Sequence, residues 1–188
     1  MESYQDIRVL NDPEFNKQTL MSVLFMKLHL ALSAHKNGDI GVSFPEHAKT
    51  PGEVLRLHGN QKTLVALEHT QWLAGLRDYC MVKPVAAVPE IIGWRTVSRV
   101  QVKSNVERLM RRSVRKGWLT EEQAARQIKE QQNQNCDLPF IQLKSHSTGQ
   151  HFKLFICHGE LQKMPTAGTF GSYGLSTVTT IPWFKPNV

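Results

Sequence analysis

Four arginines, Arg108, Arg111, Arg112 and Arg115, recur at i, i+3, i+4 and i+7. At helical pitch they fall within an arc of about 100°. Val106, Leu109, Met110 and Val114 take the opposite side, so one face can pack while four guanidinium groups point outward. Ser104 with Glu107 makes a capping box, and Gly117 is placed to end the helix. The spacing thus predicts an arginine-rich helix over 105–116, with Lys116 at its end. A solvated helix ordinarily relieves such repulsion with glutamates at i+4, and the arginine face has none. Phosphates would supply the missing anions, and arginine matches phosphate and guanine edges through paired donors.

A second group lies just upstream. Trp94 to Lys103 alternates with period two, which sets Arg95, Val97, Arg99, Gln101 and Lys103 on one strand face. Arginine and glutamine two residues apart are the side chains that bond guanine and adenine bidentately. The charge follows the same segment. Of a net +7 in 188 residues, the stretch 95–130 holds ten Lys/Arg against four Asp/Glu. A basic excess this local indicates a polyanionic partner.

The elements that must position these residues divide the chain in two. Over 1–90, strand-like segments at 4–10, 40–44, 53–58 and 77–82 alternate with helices from Lys17 to about His35 and from Asn60. The order βαββαβ defines a ferredoxin-like, RRM-like module. The core stripe of its first helix is expected at Leu20, Val23, Leu24, Leu28 and Ala31, and 84–89 reads as a linker. Over 91–188 the period-two strand precedes two helices. Strands at 140–145 and 151–157 then flank a hairpin connection at Ser147-Thr148-Gly149-Gln150. A glycine-rich end carries Gly168, Gly171 and Gly174. The fold class expected is α+β.

Three cysteines without metal-ligand spacing, eight histidines with no recurrent spacing and scattered carboxylates give no metal site and no cofactor. The first residues lack a signal-peptide pattern, and the most apolar stretch, 20–34, is too short to span a bilayer. A cytoplasmic protein with no membrane partner is expected. A DNA-reading helix-turn-helix would place the second helix in the groove, but that helix starts Thr120-Glu121-Glu122, two carboxylates facing phosphates. A regular A-form major groove is too narrow for side chains to read, so an RNA hairpin with an opened groove end fits the arginine helix better.

In order along the chain, Leu20-Met21-Ser22-Val23-Leu24-Phe25, Lys27-Leu28-His29, Ile40-Gly41-Val42-Ser43-Phe44-Pro45, Val97-Ser98-Arg99-Val100-Gln101 and Lys103-Ser104-Asn105 resemble the type I-F (Ypest) CRISPR repeat-processing endoribonucleases. So do Ser147-Thr148-Gly149-Gln150-His151-Phe152 and Tyr173-Gly174-Leu175-Ser176. The resemblance implies a ferredoxin-like domain plus a second domain whose arginine helix enters the repeat hairpin. It implies metal-independent cutting at the 3′ base of the stem, retention of the product, and partnership with other Cas subunits of the interference complex. It makes His29 the catalytic histidine, Ser145 the active-site serine and Tyr173 the supporting tyrosine. Phe152 becomes the aromatic that stacks on the terminal base pair, and Arg99 and Gln101 the purine readers. Arg112, Arg115 and Lys116 fall on the groove helix, beside Arg108 and Arg111. Lys103, Ser147 and Thr148 join the RNA-binding set.

The chemistry so implied is self-consistent. Imidazole accepts a proton near neutral pH, and RNA carries its own nucleophile in the 2′-hydroxyl. In-line attack on the adjacent phosphate gives a 2′,3′-cyclic phosphate and a 5′-hydroxyl, with Ser145 holding the ribose in attack geometry. His146 is the internal rival to His29, but a strand would turn it to the face opposite Ser145. Two other functions remain open on the sequence: a hairpin-binding subunit that does not cut, and a DNA-binding regulator.

Overall fold

The computed structural model describes residues 1–101, 106–144 and 149–185; the side chains at 106–109 and 129–136 lie outside that description. The first half contains β1 (Ser3–Val9), α1 (Lys17–His35), β2 (Gly41–Ser43), β3 (Val54–Gly59), α2 (Gln61–His69) and β4 (Cys80–Val82). The expected βαββαβ order is present, and its strands pair antiparallel in the order β2-β3-β1-β4. The second half contains β6 (Gly93–Val100), α3 (Val106–Arg115), α4 (Glu121–Cys136), β7 (Phe140–Lys144), β8 (His151–His158) and β9 (Ser176–Trp183). Its four strands form a second antiparallel sheet, in the order β7-β8-β6-β9. The fold is α+β.

Helix α1 starts where Asn16 Oδ1 accepts from the Thr19 amide, and ends at Lys36, whose φ of 59° is left-handed. Its buried face is Leu20, Met21, Leu24, Phe25, Leu28 and Leu32. The expected stripe is rotated slightly from this: Val23 is exposed and Ala31 half-buried, because α1 is covered by two sheets and its apolar arc widens toward Met21 and Phe25. Three further readings are corrected. Residues 77–79 form a 3₁₀ turn rather than strand. Within the expected linker, Ala86–Ala87 forms β5, a short strand on β1. The glycine-rich tail leads into a strand, β9, against β6.

The two sheets share one apolar cluster. Leu24, Leu28, Val42 and Phe44 belong to it together with Ile141, Leu143, Leu154, Ile156, Phe170 and Ile181. At the seam Gly41 has no room for a side chain, since a Cβ there would lie 2.6 Å from Ile181 Cγ2. Beside it the Val42 amide donates to the Gly174 carbonyl at 2.8 Å. A buried guanidinium ties the C-terminal end to the first sheet. Arg56 pairs through Nε and Nη2 with both Asp6 oxygens, at 2.6 and 2.9 Å, and its Nη1 donates to the Phe184 carbonyl at 3.4 Å. Burying this charge is tolerable because it is paired bidentately and hydrogen-bonded.

Candidate functional site

His29 projects from the last third of α1, half-buried, between the buried Leu28 and the exposed Leu30. Its ring lies parallel to that of Tyr173, centroids 3.9 Å apart and planes 10° from parallel. Nδ1 is 3.0 Å from the Ser172 carbonyl oxygen. A carbonyl only accepts, so Nδ1 carries the proton in the neutral ring and Nε2 is the nitrogen that can take one. Ser33 Oγ lies 3.5 Å from the same Nδ1, one turn further along the helix.

Tyr173 is delivered by the loop before β9. The Gly174 amide donates to Gly171 at 2.8 Å, closing a tight turn, and Gly174 has φ +68°. A Cβ at Gly174 would lie 2.3 Å from Val42 Cγ2. Glycine is therefore required twice over, for its backbone conformation and for the close approach to β2. The same turn fixes the Ser172 carbonyl over His29. Tyr173 also stacks with Phe25, centroids 5.9 Å apart, so it is packed into the core on the way to the imidazole.

Arg99 connects this pair to the second sheet. Its guanidinium carbon is 5.9 Å from the Tyr173 centroid and 5.5 Å from that of Phe152. Arg99 is exposed and Phe152 half-buried against the core. His29, Tyr173, Arg99 and Phe152 thus converge, although they come from α1, the loop before β9, β6 and β8. Gln101 is exposed just beyond the end of β6. Arg95 is not part of an open basic row, as the period-two pattern had it. Its Nε and Nη2 both donate to the Gly159 carbonyl, at 2.8 and 2.7 Å, and it lies over Trp183. The pairing of β6 with β9 shifts register between Thr96 and Val97, which interrupts the alternation.

Ser145, His146, Ser147, Thr148 and Lys103 lie outside the described residues, as does the expected Ser104–Glu107 cap. Lys144 pairs with His151 across β7 and β8, so 145–150 joins two adjacent antiparallel strands, as the hairpin reading required.

The arginine helix ends as its sequence dictates. Gly117, with φ 72°, is left-handed; its amide donates to Val114 and that of Trp118 to Ser113. This is the Schellman arrangement. Arg111, Arg112, Arg115 and Lys116 are exposed, while Met110 and Val114 are half-buried. The Arg108 side chain lies outside the description. Helix α3 packs on α4, which begins with a capping box between Thr120 and Gln123. Lys116 Nζ sits 4.5 Å from the centroid of the exposed Trp118 ring. The cationic face is therefore presented to solvent.

The sequence puts Ser33 on the same helical stripe as His29, where i, i+4 neighbours touch, but it missed Phe25 and the Ser172 carbonyl as partners of the site. A backbone carbonyl held by a distant glycine turn leaves no local signal. Among the described residues, no three His, Cys, Asp or Glu side chains gather as a set able to hold a metal ion, and no helix is long and apolar enough to cross a membrane.

A family model described as CRISPR-associated protein (Cas_Csy4) matches residues 4–184. A CRISPR-associated endonuclease Cas6/Csy4 of Escherichia coli (strain UTI89 / UPEC) is 59% identical over 184 residues, covering 98% of this chain and 100% of that protein. One of the same name from Pseudomonas aeruginosa (strain UCBPP-PA14) is 50% identical over 187 residues, again 98% of this chain and 100% of the relative.

Proposed function

This chain belongs to the Cas_Csy4 family of CRISPR-associated proteins, and from that premise we propose that it is an endoribonuclease that cuts precursor CRISPR RNA at the 3′ base of each repeat stem-loop. His29 Nε2 takes the proton from the 2′-hydroxyl of the nucleotide 5′ of the cut. The 2′-oxygen attacks the adjacent phosphorus, the P–O5′ bond breaks, the departing 5′-oxygen takes a proton from water, and a 2′,3′-cyclic phosphate and a 5′-hydroxyl result. Ser145 holds the ribose and Tyr173 holds the imidazole. Arg99 and Gln101 read purines at the stem base, with Phe152 stacking on its last pair.

In this reading residues 91–188 grip the hairpin and residues 1–90 bring the base. Arg108, Arg111, Arg112, Arg115 and Lys116 line the RNA groove, with Lys103, Ser147 and Thr148 adding contacts. The protein keeps its product in the cytoplasm and passes with it into an interference complex with other Cas subunits. The observation that carries the reading is the Ser172–His29–Tyr173 arrangement beside Arg99 and Phe152. It fixes an imidazole tautomer next to cationic and aromatic groups suited to a phosphate and a base.

The deciding experiment mixes the protein with repeat RNA in excess chelator, beside the same RNA with one 2′-deoxy nucleotide 5′ of the scissile phosphate. Cutting of the all-ribose RNA alone is expected. Tight binding with no cut of either would make the protein a hairpin-binding subunit instead.

A further inference from the structure

A groove runs between α1 and β7, enclosing a cavity of about 940 Å³. Its helical wall includes Ser22 and Met26, and its other wall is the whole of β7. The helical wall leads to the proposed base. On α1, Ser22, Met26, His29 and Ser33 fall within an arc of about 60° at 100° per residue, so the groove and the imidazole share one helix face. The step from Met26 to His29 is only about 4.5 Å along the axis. On the opposite wall, Lys144 lines the groove and immediately precedes Ser145.

The Arg99–Phe152 pair reaches His29 through Tyr173, and none of these three residues lines the groove. An RNA gripped at its stem base by that pair leaves the groove free for the strand beyond the cut. We propose that the α1–β7 groove takes the single-stranded RNA 3′ of the scissile phosphate. This rests on the cleavage reading above, and adds where the leaving strand lies.

Charge favours a nucleic-acid strand there. At the far end Glu46 and Glu53 are neutralised by Arg8 and Lys17. At the end toward His29 the cationic lining is Lys144 and Lys27, the latter also donating to the Ala74 carbonyl. Strand β7 is also the last strand of its sheet, so backbone amides on its open edge add donors. The cavity is at the upper end of the roughly 300–1,000 Å³ range of small-molecule pockets, roomy enough for nucleotides and open along its length.

The test uses the full chain and two repeat RNAs blocked by a 2′-deoxy at the cut. One ends at the nucleotide 5′ of the scissile phosphate and the other continues several nucleotides 3′. The extended RNA should bind at least about threefold tighter, with a log–log salt slope steeper by about 0.7 to 1.4, as one or two more single-strand phosphate contacts require. In the double variant Lys144→Glu, Gln142→Glu the affinity ratio should fall to about one. A 4-thiouridine two nucleotides past the cut should crosslink to residues 17–27 or 140–144 in the unaltered protein. A ratio of one in the unaltered protein, or crosslinks elsewhere, overturns the proposal and leaves the β7 edge to an extended peptide. An unchanged ratio in the variant also overturns it. Failure to bind the blunt hairpin at all counts instead against the function itself, so the two failures are distinguishable.

Discussion

His29 and Tyr173 are stacked face to face at 3.9 Å, and the carbonyl one residue before the tyrosine accepts a hydrogen bond from His29 Nδ1 at 3.0 Å. One loop therefore sets both the plane and the tautomer of the imidazole. Two substitutions separate these roles. His29→Ala removes the base and should lower the single-turnover cleavage rate by about 10²–10⁴-fold, the usual worth of a general base. Repeat-RNA affinity should stay nearly intact in a binding titration; a large loss of affinity would make His29 structural. Tyr173→Phe keeps the stack and should cut nearly normally, whereas Tyr173→Ala frees the ring and should cost about 10–100-fold in rate, a loss of positioning.

The same loop depends on Gly174. Gly174→Ala adds a methyl at φ +68°, directed at Val42, so the turn has to move away from β2. A loss of roughly 1–3 kcal/mol in stability is expected, measurable by urea unfolding. Cleavage should fall more than stability alone explains, because Tyr173 and the Ser172 carbonyl move with the turn. Full activity at a temperature where the variant is folded would show that the loop does not position His29.

Much of this arrangement was legible in the residues. The βαββαβ order could be read from periodicity, and Gly117 announced the end of α3, because both are local properties of the chain. What was lost depended on long-range contacts. Strand β9 hides behind a glycine-rich run and contains Pro182, which ordinarily argues against a strand; it is tolerated because β9 is the terminal strand of its sheet. Arg95 looked like a twin of Arg99 by alternation, yet it donates to the carbonyl of the distant Gly159. The meeting of His29 with Tyr173 had no signal in periodicity or spacing. It came only from resemblance, since nothing local to either residue encodes the turn that joins them.

The exposed face of α3 makes a quantitative claim about salt. Arg112 and Arg115 are both exposed. If each meets one RNA phosphate, replacing both with glutamine should reduce the slope of log affinity against log salt by roughly two units. The cleavage rate of saturated enzyme should change little, because in the proposed reading the helix works by holding the hairpin and takes no part in the chemistry. An unchanged slope would take both arginines off the phosphate-contact list.

Three histidines outside the proposed site have imidazoles pushed down by burial, which predicts an acid limit to stability. His158 and His47 stack at 3.6 Å beneath Trp183. Burial, with help from His47 and Arg95, pushes the His158 imidazole down to about 3. Burial also lowers His47 and holds the fully enclosed His58 well below its ordinary value. These groups are neutral in the fold and would gain protons on unfolding. Their contribution is therefore fully present above about pH 6.5, the ordinary histidine value, and is lost as pH falls toward 3. Urea unfolding should show stability declining steadily from pH 6.5 to 4.5. In His158→Phe, which keeps a flat ring against His47 and Trp183, that decline should shrink by about 1–3 kcal/mol. An identical decline in the variant would mean that other groups govern the acid limit.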